Sequence, residues 1–254
     1  MLQHQKMIKQ ENSFTVLELL FVITIISLLA AIMFPLLAMS KEKARKSSCT
    51  ANLNQIGITS KLYMDEQGSY PDGYLKVTGG ILYWCGEYND ASKSIDFTKS
   101  PLHDYLKDSQ IFVCPSMPQT CKSLDSSGKK ICSYGINIEY VGGSPEPNPN
   151  PSEQEILDSP AAKSIDIKSP DRTLFFMDSA CLESGSIKES YYFWARYFFT
   201  KPEEHEARSH FRHNKVAVGV FCDGHVNDSI LPDAIYDETN RIGWPDRNIC
   251  ERQH

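Results

Sequence analysis

The sequence predicts an α+β chain: a long N-terminal helix, membrane-spanning over its first half, packed on an antiparallel β-sheet head. Three features predict it. Residues 14–38 are almost wholly apolar, residues 39–63 keep apolar side chains at helical spacing, and beyond Gly73 short β-branched and aromatic runs alternate with Gly, Pro, Asp or Ser. A chain of 254 residues, 41% hydrophobic and 23% charged, can bury one core of ordinary size, so one globular head is expected beside the apolar segment. The net charge of -6 leaves no broad basic surface, which excludes nucleic acid as a partner. Eight cysteines suit an oxidising compartment, with the pairing left open.

The apolar run comes first. As a helix, residues 14–37 would extend about 36 Å, more than the roughly 30 Å hydrocarbon layer. It is too long for the apolar core of a secretory signal and leads straight into a charged helical pattern, so removal of the whole run is not expected. Lys6 and Lys9 precede it, but Lys41, Lys43, Arg45 and Lys46 follow, so charge asymmetry alone points to the opposite orientation from a cytoplasmic N-terminus. One carboxylate, Glu18, lies inside the run. A charge at the centre of a spanning helix costs about 2.5–3.5 kcal/mol, less near an end, and such residues usually face a protein partner. A cut between Ser13 and Phe14 would create an ammonium one helical turn from Glu18, and a neighbouring chain's ammonium would serve equally. Pro35 lacks the N–H that an interior helix position needs, so it is expected to kink or loosen the helix.

After the run, Ala44, Cys49, Leu53, Ile56 and Tyr63 recur near helical spacing, with Lys41, Glu42, Lys43, Lys46, Asn54 and Lys61 mostly between them, predicting a helix to about Tyr63. Gly57 weakens it by about 1 kcal/mol relative to alanine. Gly68 and Pro71 then stop it. Strands are expected at 81–84, 111–114, 173–177, 191–199 and 216–222, with a short helix or turn at 101–107. The Pro-rich segment 142–155 is expected to be an exposed loop inside one head domain spanning 64–254.

The run Ser13-Phe14-Thr15-Val16-Leu17-Glu18 resembles the cleavage and methylation site of type IV prepilins and type II secretion pseudopilins. Ser13 stands where that family usually has glycine. Pro35, the twenty-second residue counted from Phe14, matches the helix-bending proline of many pilins. Near the other end, nine residues separate His213 from Asp223-Gly224, which resembles the H-X9-DG signature of pseudopilin-like chains, and "SPDRTLFFMDS" upstream is similar to another of their recurrent blocks.

The resemblance implies a cytoplasmic leader over 1–13, removed by a prepilin peptidase that cuts before Phe14 and N-methylates it. It further implies a transmembrane helix half over 14–38, an amphipathic half over 39–63, and an extracytoplasmic head. The implied partners are prepilin peptidase, other pilin or pseudopilin subunits, an inner-membrane assembly platform and the membrane itself. The implied job is structural, as a subunit of a pseudopilus or a pilus-like fibre, with Glu18 and Pro35 serving assembly.

The remaining motifs point away from catalysis, and no cofactor is expected. Asp223-Gly224 between alternating runs predicts a type I′ hairpin in which Phe221 faces Val226 and Ala217 faces Ile230. His213 would then stand about 33 Å from Asp223 along an extended strand, so His213, Asp223 and Gly224 are expected to be structural. His205, His210 and His213 lack metalloprotease spacing, and Arg208 and Arg212 stand between them. No C-x-x-C pair exists, and the acidic run Asp223, Asp228, Asp233, Asp237, Glu238 lacks calcium-loop spacing, so no metal is expected. Serines lack a nucleophile elbow, and no phosphate loop is present. A second expectation is a membrane-tethered module that binds glycan on the aromatic run Tyr191, Tyr192, Phe193, Trp194, Tyr197, Phe198 and Phe199.

Overall fold

The computed structural model describes residues 15–89, 91–92, 94–117, 132–143, 160–183, 186–194, 207–237 and 242–245. The chain forms two compact units, 1–43 and 44–254, and the α+β class is as expected. Helix α1 (Val16–Gln67) contributes to both units.

In the first unit the apolar side chains from Val16 onward are exposed, and by length and composition this stretch is a candidate membrane span. Its hydroxyls are turned inward: Thr24 Oγ1 donates to Leu20 O and Ser27 Oγ to Ile23 O, both at 2.7 Å. Such back-bonding hides polar groups that hydrocarbon could not satisfy. The helix assignment passes through Pro35 without a break.

In the second unit the helix buries Cys49, Leu53, Ile56, Gly57, Thr59, Ser60 and Met64. Ala44, expected on this stripe, is exposed, and Tyr63 is only partly buried against the core. The helix also ends a turn later than expected. Met64 prolongs the buried stripe, and Gly68, at φ 79°, receives the end by donating its N–H to Met64 O at 2.8 Å.

Two sheets follow. The first is an antiparallel meander of β1 (Leu75–Val77), β2 (Gly80–Tyr83), β3 (Gly86–Asn89) and β4 (Ser94–Asp96). Trp84, expected to end a strand, instead sits in the turn between β2 and β3. There its indole N–H donates to Tyr191 O at 2.6 Å and its ring packs on Phe112 and Phe176. The strand expected at 111–114 is replaced by a 3₁₀ turn, Ser109–Phe112, because the Asp108 carboxylate accepts the Gln110 N–H at 2.9 Å and starts a helical turn. Residues 101–105 form turns, within the expected helix-or-turn segment.

The second sheet is built from β5 (Tyr134–Asn137), β6 (Leu174–Glu183), β7 (Ser186–Lys188), β8 (Tyr192–Phe193), β9 (Ala207–His210), β10 (Ala217–Phe221), β11 (Val226–Ile230), β12 (Pro232–Asp237) and β13 (Ile242–Pro245). Its spine is β6. Met177 pairs with Gly219 of β10 on one side and Gly135 of β5 on the other, and Cys181 pairs with Ala207 of β9 and Lys188 of β7. The sheet is mixed rather than purely antiparallel, since β5 and β8 run parallel. β6 and β10 lie between neighbours, and the described side chains of Leu174–Ala180 and Ala217–Phe221 are all buried, so these strands are apolar on both faces except at Asp178 and Ser179 of β6.

Helix and sheet meet at Gly57. A Cβ there would lie 2.8 Å from Val220 Cγ2, inside the closest approach real side chains make. The helical cost of Gly57 is therefore offset by close packing on β10. Gly57→Leu is expected to lower head stability by about 1–3 kcal/mol through overpacking, despite leucine's better helix propensity. The shift in urea midpoint measures this, and Val220→Ala in the same chain should recover part of the loss.

Candidate functional site

A buried polar cluster of the second unit lies where β6 meets the turn ahead of β10. His213 and Val216 exchange backbone hydrogen bonds, at 3.1 and 3.3 Å, around Asn214 and Lys215, whose φ values are 54° and 69°. Two consecutive positive φ values mark a type I′ turn. The turn expected at Asp223-Gly224 therefore occurs instead at Asn214-Lys215, and it leaves Arg212 and His213 buried, 3% and 1% exposed.

Asp178 of β6, 0% exposed, receives them. Its Oδ1 stands 3.5 Å from Arg212 Nε, and its Oδ2 stands 3.5 Å from His213 Nε2 and accepts the Val218 N–H at 2.8 Å. Arg212 also donates to Ser179 O at 2.6 Å, Ser133 O at 2.9 Å and Met117 Sδ at 2.9 Å. A buried charge needs this many partners, because leaving water costs several kcal/mol per ion.

A disulfide between Cys49 of α1 and Cys114 closes the cluster from the helix side, with Cα atoms 5.4 Å apart. Cys114 Sγ lies 3.5 Å from His213 Nε2. Asn52, one turn along the helix from Cys49, donates to Val113 O at 3.2 Å and to the Tyr134 hydroxyl at 3.3 Å. Burial, reinforced by the charge of Asp178, pushes the Tyr134 phenol up, so it stays neutral. One donor atom each from Cys49, Cys114, Asp178 and His213 lies within 4.8 Å of all the others.

This is not a nucleophile–base–acid relay. Sulfur and carboxylate both meet Nε2 of His213, whereas a relay uses the two ring nitrogens separately, and Cys114 is disulfide-bonded. Two buried thiols, Cys222 and Cys85, are also poor nucleophiles. Burial pushes Cys222 up to about 12, and Cys85 is likewise raised by burial and by its hydrogen bond to Cys132.

The structure keeps His213 and Asp223 in separate settings. Asp223 lies in a three-residue loop, Cys222-Asp223-Gly224, in which the Gly224 N–H donates to Phe221 O and the Phe221 N–H to His225 O, both at 2.9 Å, with Gly224 at φ 99°. The expected pairing of Phe221 with Val226 is corrected: Val220 faces Val226, and a bulge before Gly219 restores the expected Ala217–Ile230 pair. Only the glycine adopts positive φ because Asp223 is held otherwise. Its N–H donates to Pro170 O at 3.0 Å, its carbonyl accepts Lys61 Nζ at 2.6 Å, and its Oδ1 meets His225 N and Nδ1 at 3.0 and 2.7 Å.

At the other end, Glu18 has a local partner. Thr15 Oγ1 accepts the Glu18 N–H at 3.2 Å, while Glu18 Oε2 accepts Thr15 N–H and Oγ1–H at 2.9 and 2.7 Å. This is a reciprocal capping box at the start of α1. Ser13 and Phe14 lie outside the described residues, as do the leader, 144–155 of the Pro-rich segment, Cys121, Cys250, His205 and Glu238.

The aromatic run offers no sugar platform where it is described. Phe193 and Trp194 are buried, and Tyr191 and Tyr192 are half-buried against the core; Tyr197, Phe198 and Phe199 lie outside the described residues. Of the acidic run, Asp223 pairs with His225 and Asp228 with Lys46 at 3.3 Å.

Asp178, Arg212 and the Cys49–Cys114 bond were not foreseen from the sequence. A signal for Asp178 existed: an aspartate amid "LFFMDSA" breaks a continuous apolar run, and charged residues are almost never fully buried without a partner. Comparison of the chain with protein-family models, with curated proteins and with solved structures returned no match.

Proposed function

We propose that this chain is a pilin-like structural subunit: cut before Phe14 by a prepilin peptidase, anchored in the cytoplasmic membrane by the first half of α1, and assembled helix against helix into a pseudopilus or pilus-like fibre. The observation that carries the reading is one helix with two surfaces. Val16 to Met39 expose apolar side chains around a single carboxylate, while the continuation from Cys49 to Met64 is buried along one stripe under a β-sheet. Ile58 and Leu62, one turn apart, stay exposed on that continuation and suit contact with a neighbouring helix.

Glu18 has two roles to separate in this reading. Its Oε2 caps the helix, and its charge would pair with the Phe14 ammonium of a neighbouring subunit. Glutamine also completes a capping box but carries no charge. Glu18→Gln is therefore expected to cut incorporation into fibres at least tenfold, as Glu18→Ala should, while leaving membrane insertion intact. Quantitative immunoblots of sheared fibres against the membrane fraction read this. Normal assembly of Glu18→Gln would leave capping as the residue's whole role. The N-terminal mass of the protein from its native host, with prepilin peptidase present and absent, tests the processing step: loss of residues 1–13 only with the peptidase is expected, and a chain still starting at Met1 in both would end this reading.

A further inference from the structure

The Cys49, Cys114, Asp178 and His213 cluster has a second chemical state. We propose that in the dithiol state these four side chains form a tetrahedral zinc site, and that the Cys49–Cys114 disulfide and the bound metal are mutually exclusive.

Two edges of the coordination tetrahedron already have metal-site length, and the other ligand atoms lie within 4.8 Å of one another. Zinc bonds of about 2.3 Å to sulfur and about 2.0–2.1 Å to nitrogen or oxygen, at tetrahedral angles, require edges of about 3.5 Å between S and N and about 3.4 Å between N and O. Cys114 Sγ to His213 Nε2 is 3.5 Å, and His213 Nε2 to Asp178 Oδ2 is 3.5 Å. The S–S edge must open to about 3.8 Å once the covalent bond is broken. Rotation of the two cysteine side chains supplies that opening without moving the backbone far.

Two further observations point to a cation. Asp178 Oδ1 is fully buried and accepts no hydrogen bond, with Arg212 Nε 3.5 Å away, so the carboxylate whose Oδ2 faces His213 is under-satisfied in the dry interior. Charge also balances: two thiolates, one carboxylate and Zn²⁺ sum to one negative charge, which Arg212 beside Asp178 neutralises. Arg212 would then act as the outer partner that orients the ligating carboxylate. The four ligands come from four separate stretches of chain, so the metal would tie the helix to the sheet just as the disulfide does.

The exchange balances. Two thiols and Zn²⁺ give the dithiolate complex and two protons. A small-molecule disulfide then oxidises the complex by thiol–disulfide exchange: the protein disulfide forms, the small disulfide is reduced, its two sulfurs take up two protons, and Zn²⁺ leaves.

The test uses the full chain in detergent micelles, reduced with a phosphine, stripped with a chelator and desalted. Added zinc is expected to remain at about one per chain after desalting, and added Co²⁺ should give the sulfur charge-transfer and visible bands of a tetrahedral site with thiolate ligands. Oxidised chain should retain less than about a tenth of that metal, and oxidised glutathione should release it from the reduced form. His213→Gln and the Cys49→Ser, Cys114→Ser double variant should lose stoichiometric metal, whereas Cys85→Ser should keep it. Arg212→Gln should weaken zinc binding about 10–100-fold. Reduced wild-type chain without bound metal would overturn the proposal, as would an unchanged cobalt spectrum in His213→Gln. Should the double variant fail to fold, the wild-type spectrum and the release by glutathione disulfide decide alone.

Discussion

Asp178→Ala is expected to destabilise the head by about 3–5 kcal/mol, enough to consume much of the margin of an ordinary domain. The substitution removes three things at once. Arg212 stays in the interior without the carboxylate 3.5 Å from its Nε, Val218 loses the acceptor of its N–H, and His213 loses the oxygen facing Nε2. Burial makes each loss expensive, because water cannot enter to replace the missing partner. Chemical denaturation should show a lower midpoint with an unchanged slope, the mark of altered stability rather than altered compactness. Adding Arg212→Met should recover part of the loss, since replacing both members of a buried pair costs less than orphaning one. The surface pair Lys46–Asp228 supplies the contrast. Its carboxylate is 53% exposed, so Asp228→Ala should cost no more than about 1 kcal/mol. Equal effects at Asp178 and Asp228 would show that the buried cluster carries no special share of stability.

What the sequence made legible follows from the range of the forces involved. The long helix was visible because its apolar pattern is local: a run near membrane length, then a buried stripe every three or four residues. The stripe failed at Ala44, which is exposed although its spacing is right, because burial depends on what lies opposite and not on the helix alone. The central strands β6 and β10 were visible for a similar reason, as runs buried on both faces. The strands β3 and β4, Gly86–Asn89 and Ser94–Asp96, were missed because four or fewer mixed residues carry no period to detect. Turn chemistry misled in one place. Asp-Gly is the stronger type I′ signal, yet Asn214-Lys215 adopts that conformation while Asp223 is tied to Pro170, Lys61 and His225. The buried cluster lay furthest from sequence reasoning, since Cys49, Cys114, Asp178 and His213 are each separated by at least 35 positions and only tertiary packing assembles them.

Breaking the Cys49–Cys114 bond in the absence of metal should cost about 4 kcal/mol, the entropy regained by an unfolded chain released from a loop of this length. The bond closes 65 positions, from the middle of α1 to the segment after the 3₁₀ turn. Folded and unfolded states therefore respond differently: the native helix is also held by Leu53, Ile56 and the Gly57–Val220 contact, whereas the unfolded chain loses its one long-range constraint among the described residues. Urea unfolding of the head with and without a phosphine reductant, in chelator throughout, measures the difference. The Cys49→Ser, Cys114→Ser variant should match the reduced wild type and show no further response to reductant. Zinc should restore part of the lost stability to the reduced wild type and none to the variant, because a metal that binds only the folded form stabilises it by mass action. A loss below about 1 kcal/mol on reduction would place the helix-to-sheet attachment in apolar packing alone, and Gly57→Leu would then become the stronger way to loosen it.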